Sequence, residues 1–126
     1  MGTVSYFIEQ VGMEIREDAR EVVRDLLEDH SGYEDLFDGT SLDFDFFHDW
    51  KFIGYFYDED LSILRELGKY LTDVDKDMQN NYALFTTDDY SRGWYKIGYY
   101  LNSEGEPTFG ICEQVNIQFS HPRQIQ

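Results

Sequence analysis

The chain opens on alternation. Val4, Tyr6 and Ile8 interleave with Ser5, Phe7 and Glu9, a period of two that predicts a first strand broken at Gly12. From Glu14 to about His30 the period becomes helical, with Ile15, Ala19, Val22, Val23, Leu26 and Leu27 on one face. At about 100° per residue, Glu14, Glu17, Asp18, Glu21, Asp25, Glu28 and Asp29 line one flank of this helix. Arg16, Arg20 and Arg24 line the other. The signs are segregated, and the acids at Asp25, Glu28 and Asp29 oppose the helix dipole at about 0.3–1 kcal/mol each when exposed.

Residues 31–41, with Gly32 and Gly39, read as loop or short helix. The aromatic run from Phe44 to Tyr57 follows, and its later part, Trp50 to Tyr57, reads as a strand apolar on both faces, hence central in a sheet. Asp58 is the expected N-cap of a second helix, whose buried stripe is Leu61, Leu64, Leu67, Leu71 and Val74. Gly68 within that stripe lets the helix approach the sheet closely. Tyr82 to Thr87 reads as a strand. A hairpin follows, with arms Trp94–Leu101 and Thr108–Phe119 around a turn at Asn102–Pro107. Glu113 interrupts the apolar face of the second arm, which predicts a bulge or an edge position there. Pro122 is expected to mark the end of the sheet. The order β-α-β-α-β-β-β predicts one α+β domain over residues 1–126. It should be a two-layer sandwich, a mainly antiparallel sheet of about 4–5 strands carrying two helices on one face.

Charge changes this picture most. The chain has 26 acids against 10 bases and a net charge of −16. Twelve of those acids lie between Asp25 and Asp60, against the single base Lys51. The same stretch carries ten aromatic residues, among them Tyr33, Phe37, Trp50 and Phe52, so it brings its own apolar surface and does not read as a disordered acidic tail. A salt-adapted surface would spread its acids and be rich in alanine, whereas these are clustered and only Ala19 and Ala83 are present. A folded negative surface repels nucleic acid and anionic membranes and attracts basic proteins.

The one cysteine, Cys112, excludes an internal disulfide. The N-terminus has no basic segment before an apolar run, and no apolar run approaches the roughly 20 residues that span a bilayer. A soluble, cytoplasmic protein is the expectation.

Candidate chemistry is sparse. Asp73-x-Asp75-x-Asp77 opens like a calcium loop, but Met78 and Leu84 stand where that loop needs Gly and Glu, so at most weak metal binding is expected. Asp43, Asp45, His48 and Asp49 bring oxygen and imidazole ligands within seven residues. They are the basis of an alternative reading as a small metal-dependent hydrolase. Cys112 with His121 is a formal nucleophile–base pair with no activating neighbour in sequence. Arg92-Gly93-Trp94 with Lys96 is the one mildly basic, aromatic patch. No phosphate-binding Gly-rich loop, nucleophile elbow or HExxH motif is present. The expectation is a protein that is not an enzyme and needs no cofactor.

The composition points to an acidic inhibitor that occupies the basic, nucleic-acid-binding surface of a partner, such as a nuclease. Its contact residues would be Asp25, Glu28, Asp29, Glu34, Asp35, Asp38, Asp43, Asp45 and Asp49, with Tyr33 and Trp50 as anchors. In size and composition alone the chain resembles phage-encoded inhibitors of host defence nucleases and immunity proteins that neutralise basic toxins. The expectation for this chain is a charge mimic of DNA that binds no nucleic acid directly.

Overall fold

The computed structural model describes residues 5–30, 37–38, 51–52, 58–87, 94–115 and 118–125. Strand β1 (Ser5–Val11) leads through a turn to helix α1 (Arg20–Glu28), and helix α2 spans Leu61–Leu67. Strands β4 (Tyr82–Thr87), β5 (Trp94–Leu101) and β6 (Pro107–Val115) follow, then the short β7 (Gln118–Phe119) and β8 (Arg123–Gln124). These strands form one antiparallel sheet in the order β1-β4-β5-β6-β7, with β8 also paired to β6. Two further short strands, β2 (Phe37–Asp38) and β3 (Lys51–Phe52), pair with each other in a separate sheet. The fold is α+β, as the pattern predicts.

Alternation along the strands divides the main sheet into two faces. Ala83, Phe85, Ile97, Tyr99 and Phe109 point to the helices and form one core with Val23 and Leu27 of α1 and Ile63, Leu64 and Leu67 of α2. Both helices thus lie on one side. Gly68, directly after α2, explains how close the approach is: a Cβ there would stand 2.9 Å from the Tyr99 ring. The Tyr99 hydroxyl donates to the Leu64 carbonyl at 2.5 Å, which satisfies the one polar atom of a fully buried ring. On the opposite face Tyr100 and Cys112 pack with Met78 in a smaller cluster under the 72–81 loop.

Buried Asn81 pins that loop. Its side-chain oxygen accepts from the Met13 N–H at 2.9 Å, and its amide donates to the Thr72 carbonyl at 2.8 Å. Gly12 and Met13 both hold positive φ, 66° and 62°, and a Cβ on Gly12 would lie 1.9 Å from the Asn80 carbonyl oxygen. Only glycine fits there.

Several expectations need correction. The helical period from Glu14 does not give a helix from Glu14. After the turn at Gly12–Met13 the chain runs extended, Ile15 bridges Leu71, and a 3-10 turn at Glu17–Ala19 precedes α1. Arg16 N–H donates to Tyr70 O and Thr72 N–H to Glu14 O. Ile15 is buried by that pairing. Val22, expected on the buried face, is 49% exposed.

The strand expected at Trp50–Tyr57 does not enter the main sheet where it is described, since among the described residues Lys51–Phe52 pairs with Phe37–Asp38 in a separate sheet. Trp50 and residues 53–57 lie outside the described residues. Asp58 is not the cap of α2, because a 3-10 turn at Asp58–Asp60 comes first.

The β5–β6 register runs unbroken through Tyr95↔Glu113, and a register shift falls instead in the β1–β4 pairing, between Phe7 and Glu9. Glu113 instead takes up the segment that folds back on it: its N–H donates to Ser120 Oγ, its carbonyl accepts from Ser120 N–H, and its carboxylate pairs with Arg123. Nor does the sheet end at Pro122, since β8 follows it.

Candidate acidic face and its surroundings

Helix α1 is amphipathic, and only Val23 and Leu27 within it are buried. Arg20, Arg24 and Leu26 are half-buried, and Glu21, Val22, Asp25 and Glu28 are exposed. Asp25, Glu28 and Asp29 are all exposed, as are Glu17, Asp18 and Glu21 ahead of them. Asp18 is paired with Arg16 at 3.2 Å. Among the described residues Glu21, Asp25, Glu28 and Asp29 have no ion-pair partner. No basic residue stands in the last turn of α1, so the acids at that end meet the negative pole of the helix uncompensated.

Of the contact residues expected from sequence, the structure brings Asp25, Glu28 and Asp29 together on this helix. Asp38 lies in β2, where its backbone is in register with Lys51. Tyr33, Glu34, Asp35, Asp43, Asp45, Asp49 and Trp50 lie outside the described residues, as does His48 of the alternative metal cluster.

One contact at the root of α1 is invisible in the sequence. His30 Nε2 lies 2.7 Å from Asp60 Oδ1, with side-chain exposures of 18% and 9%. The bond ties the end of α1 to the start of α2, so the acidic helix is anchored at its C-terminal end. Thirty positions separate the two residues, and neither sits in a motif.

The other candidates resolve as structural. Asp75 accepts from Gln79 N–H and Asn80 N–H on one oxygen and from Asp77 N–H on the other. Both lone-pair sets thus organise the loop. Among the described residues no three His, Cys, Asp or Glu side chains form a group that could hold a metal ion. Cys112 is buried, with its thiol 3.9 Å from Met78 Sδ. Burial pushes the thiol pKa up, Lys96 opposes that, and Asp77 and Asp75 add to it. A thiol held protonated is a poor nucleophile. His121 is exposed and sits 3.9 Å from Asp77.

No family model matches the chain, and neither a curated protein nor a solved structure similar to it is found. Among the described residues no helix is long and apolar enough to cross a membrane.

Proposed function

We propose that this protein is an acidic inhibitor that binds the basic, nucleic-acid-binding surface of a partner protein, and that α1 carries part of the contact. One observation supports this above the rest: Glu21, Asp25, Glu28 and Asp29 are exposed on one helix, and among the described residues no cation pairs with them. Protein charge that serves folding is usually settled within the protein, by i,i+4 pairs or by the helix dipole. Glu21, in the first turn, is favoured by the dipole, whereas Asp25, Glu28 and Asp29 at the other end have neither.

Carboxylates one helical turn apart, about 5.4 Å, are sparser than duplex phosphate at one charge per about 1.7 Å of axis. They still match a groove whose Lys and Arg side chains are spaced to grip a backbone. The acids of residues 31–57 would extend the same field. Attraction of this kind acts mainly on the association rate and weakens with salt.

The test is affinity capture from lysate at low and high salt, read by mass spectrometry. The native chain is run beside a variant with Asp25→Asn, Glu28→Gln, Glu34→Gln and Asp38→Asn. A basic nucleic-acid-binding protein retained at low salt by the native chain alone is the expected result. Equal retention by both baits would remove the acidic face from the contact.

A further inference from the structure

On the sheet face away from the helices, Lys96 stands out. Its ammonium lies 4.3 Å from the centroid of the Tyr82 ring and 4.4 Å from that of Phe119. In a chain with 26 acids a lysine is expected to find a carboxylate, yet among the described residues none lies within ion-pair range of Lys96. Two ring faces hold the ammonium through their quadrupoles, but neither ring face supplies a lone pair for its three N–H donors. The cation is positioned and its hydrogen bonds are not taken up by the rings.

An open cavity of about 430 Å³ adjoins it, with Lys96, Gln79, Phe119, His121, Asp77 and Pro122 on its walls. That volume falls in the range of small-molecule sites. Phe119 is 37% exposed and offers apolar ring surface, while Gln79 and His121 add polar groups. The segment carrying Phe119 is held in place: β7 pairs with β6, and Ser120 N–H donates to Glu113 O at 2.7 Å. Asp77, 3.9 Å from His121, is the one carboxylate among the described residues of the wall. It limits the negative charge the site accepts and favours a monoanion over a dianion.

We infer that this cavity binds a small aromatic carboxylate, the carboxylate on the Lys96 ammonium and the ring against Phe119. The site is independent of the acidic face on α1, and its failure would leave that reading untouched.

The test is a titration of the isotopically labelled full chain with benzoate, followed by amide chemical shifts. Saturable shifts centred on Lys96, Phe119, Ser120 and His121 are expected. Lys96→Met should weaken binding about tenfold or more, the usual worth of a hydrogen bond to a charged group, whereas Lys96→Arg should largely retain it. Replacing benzoate by neutral benzyl alcohol should cost a similar factor, and inorganic phosphate should give no saturable shift at these residues. Equal benzoate affinity in a folded Lys96→Met variant would overturn the assignment. So would saturable shifts elsewhere only, or phosphate binding as tightly as benzoate.

Discussion

Helices α1 and α2 lie on the same face of the same sheet, and they treat their charge in opposite ways. Along α2, Ile63, Leu64 and Leu67 are buried, and the helix is held from beneath by the Tyr99 hydroxyl. Its polar residues are settled within the molecule: Lys69 pairs with Glu66 at 2.9 Å, and Arg65 donates to the Ile125 carbonyl at 3.3 Å. Along α1 only Val23 and Leu27 are buried, Val22 is exposed, and Glu21, Asp25 and Glu28 face solvent. The carboxylates left unpaired at the end of α1 are the observation on which the proposed binding role rests.

The strongest way to break this comparison is to truncate one apolar side chain on each helix. Leu64→Ala should cost about 2–5 kcal/mol, the usual result for a fully buried leucine. Val22→Ala should change stability by less than about 0.5 kcal/mol, since the side chain is half exposed. Urea unfolding of both variants gives the answer. A Val22→Ala cost near that of Leu64→Ala would mean that α1 is as much a core element as α2.

Gly68→Ala comes next, at about 1–3 kcal/mol. The added methyl would stand 2.9 Å from Tyr99 Cδ1 and 3.3 Å from Pro107 Cβ, so the end of α2 must lift from the sheet. An unchanged melting temperature would show that α2 is not seated as closely as its packing implies.

Tyr99→Phe follows, at about 1–2 kcal/mol, because it leaves the Leu64 carbonyl without its buried donor. It also has a pH signature. Burial raises the Tyr99 phenol well above its ordinary 10.0, so above pH 10 the unfolded chain releases a proton that the native chain keeps. The stabilising contribution is therefore complete below the unfolded value and falls as pH rises beyond it. Cys112 acts in the same direction from its ordinary 9.0, again chiefly through burial. Thermal melts from pH 8 to 11 should show a steeper alkaline decline for the native protein than for Tyr99→Phe. Equal slopes would count against Tyr99 as the source.

Much of this architecture is legible in the sequence where contacts are local. The bounds of β4 and β5 follow from period-two patterning between turn residues, and the position of Gly68 against the sheet follows from its place in the apolar stripe of α2. Legibility fails where a second arrangement satisfies the same pattern. Ile15 stands four residues before Ala19, as a helix would have it, but it is buried equally well by a bridge to Leu71. The apolar run at Trp50–Tyr57 matches a central strand by composition, yet its described part belongs to a separate two-stranded sheet. In the candidate face, Asp25, Glu28 and Asp29 could be grouped because helical spacing alone brings them together. The His30–Asp60 bond and the two rings around Lys96 could not, since each joins elements far apart in the chain.

The smallest expected effect on stability is the most informative. Asp25→Asn, Glu28→Gln and Asp29→Asn together remove charges that oppose the helix dipole and repel one another, with no described ion pair lost. Each exposed acid costs about 0.3–1 kcal/mol at low ionic strength and less in salt. The triple variant should therefore melt at the same temperature as the native chain or slightly above it, and the gain should shrink as salt is added. That outcome would support the proposal that the charge on α1 is kept for a partner. If the variant instead melts well below the native chain, these carboxylates are holding the fold together. The contrast between the two helices would then be one of packing alone.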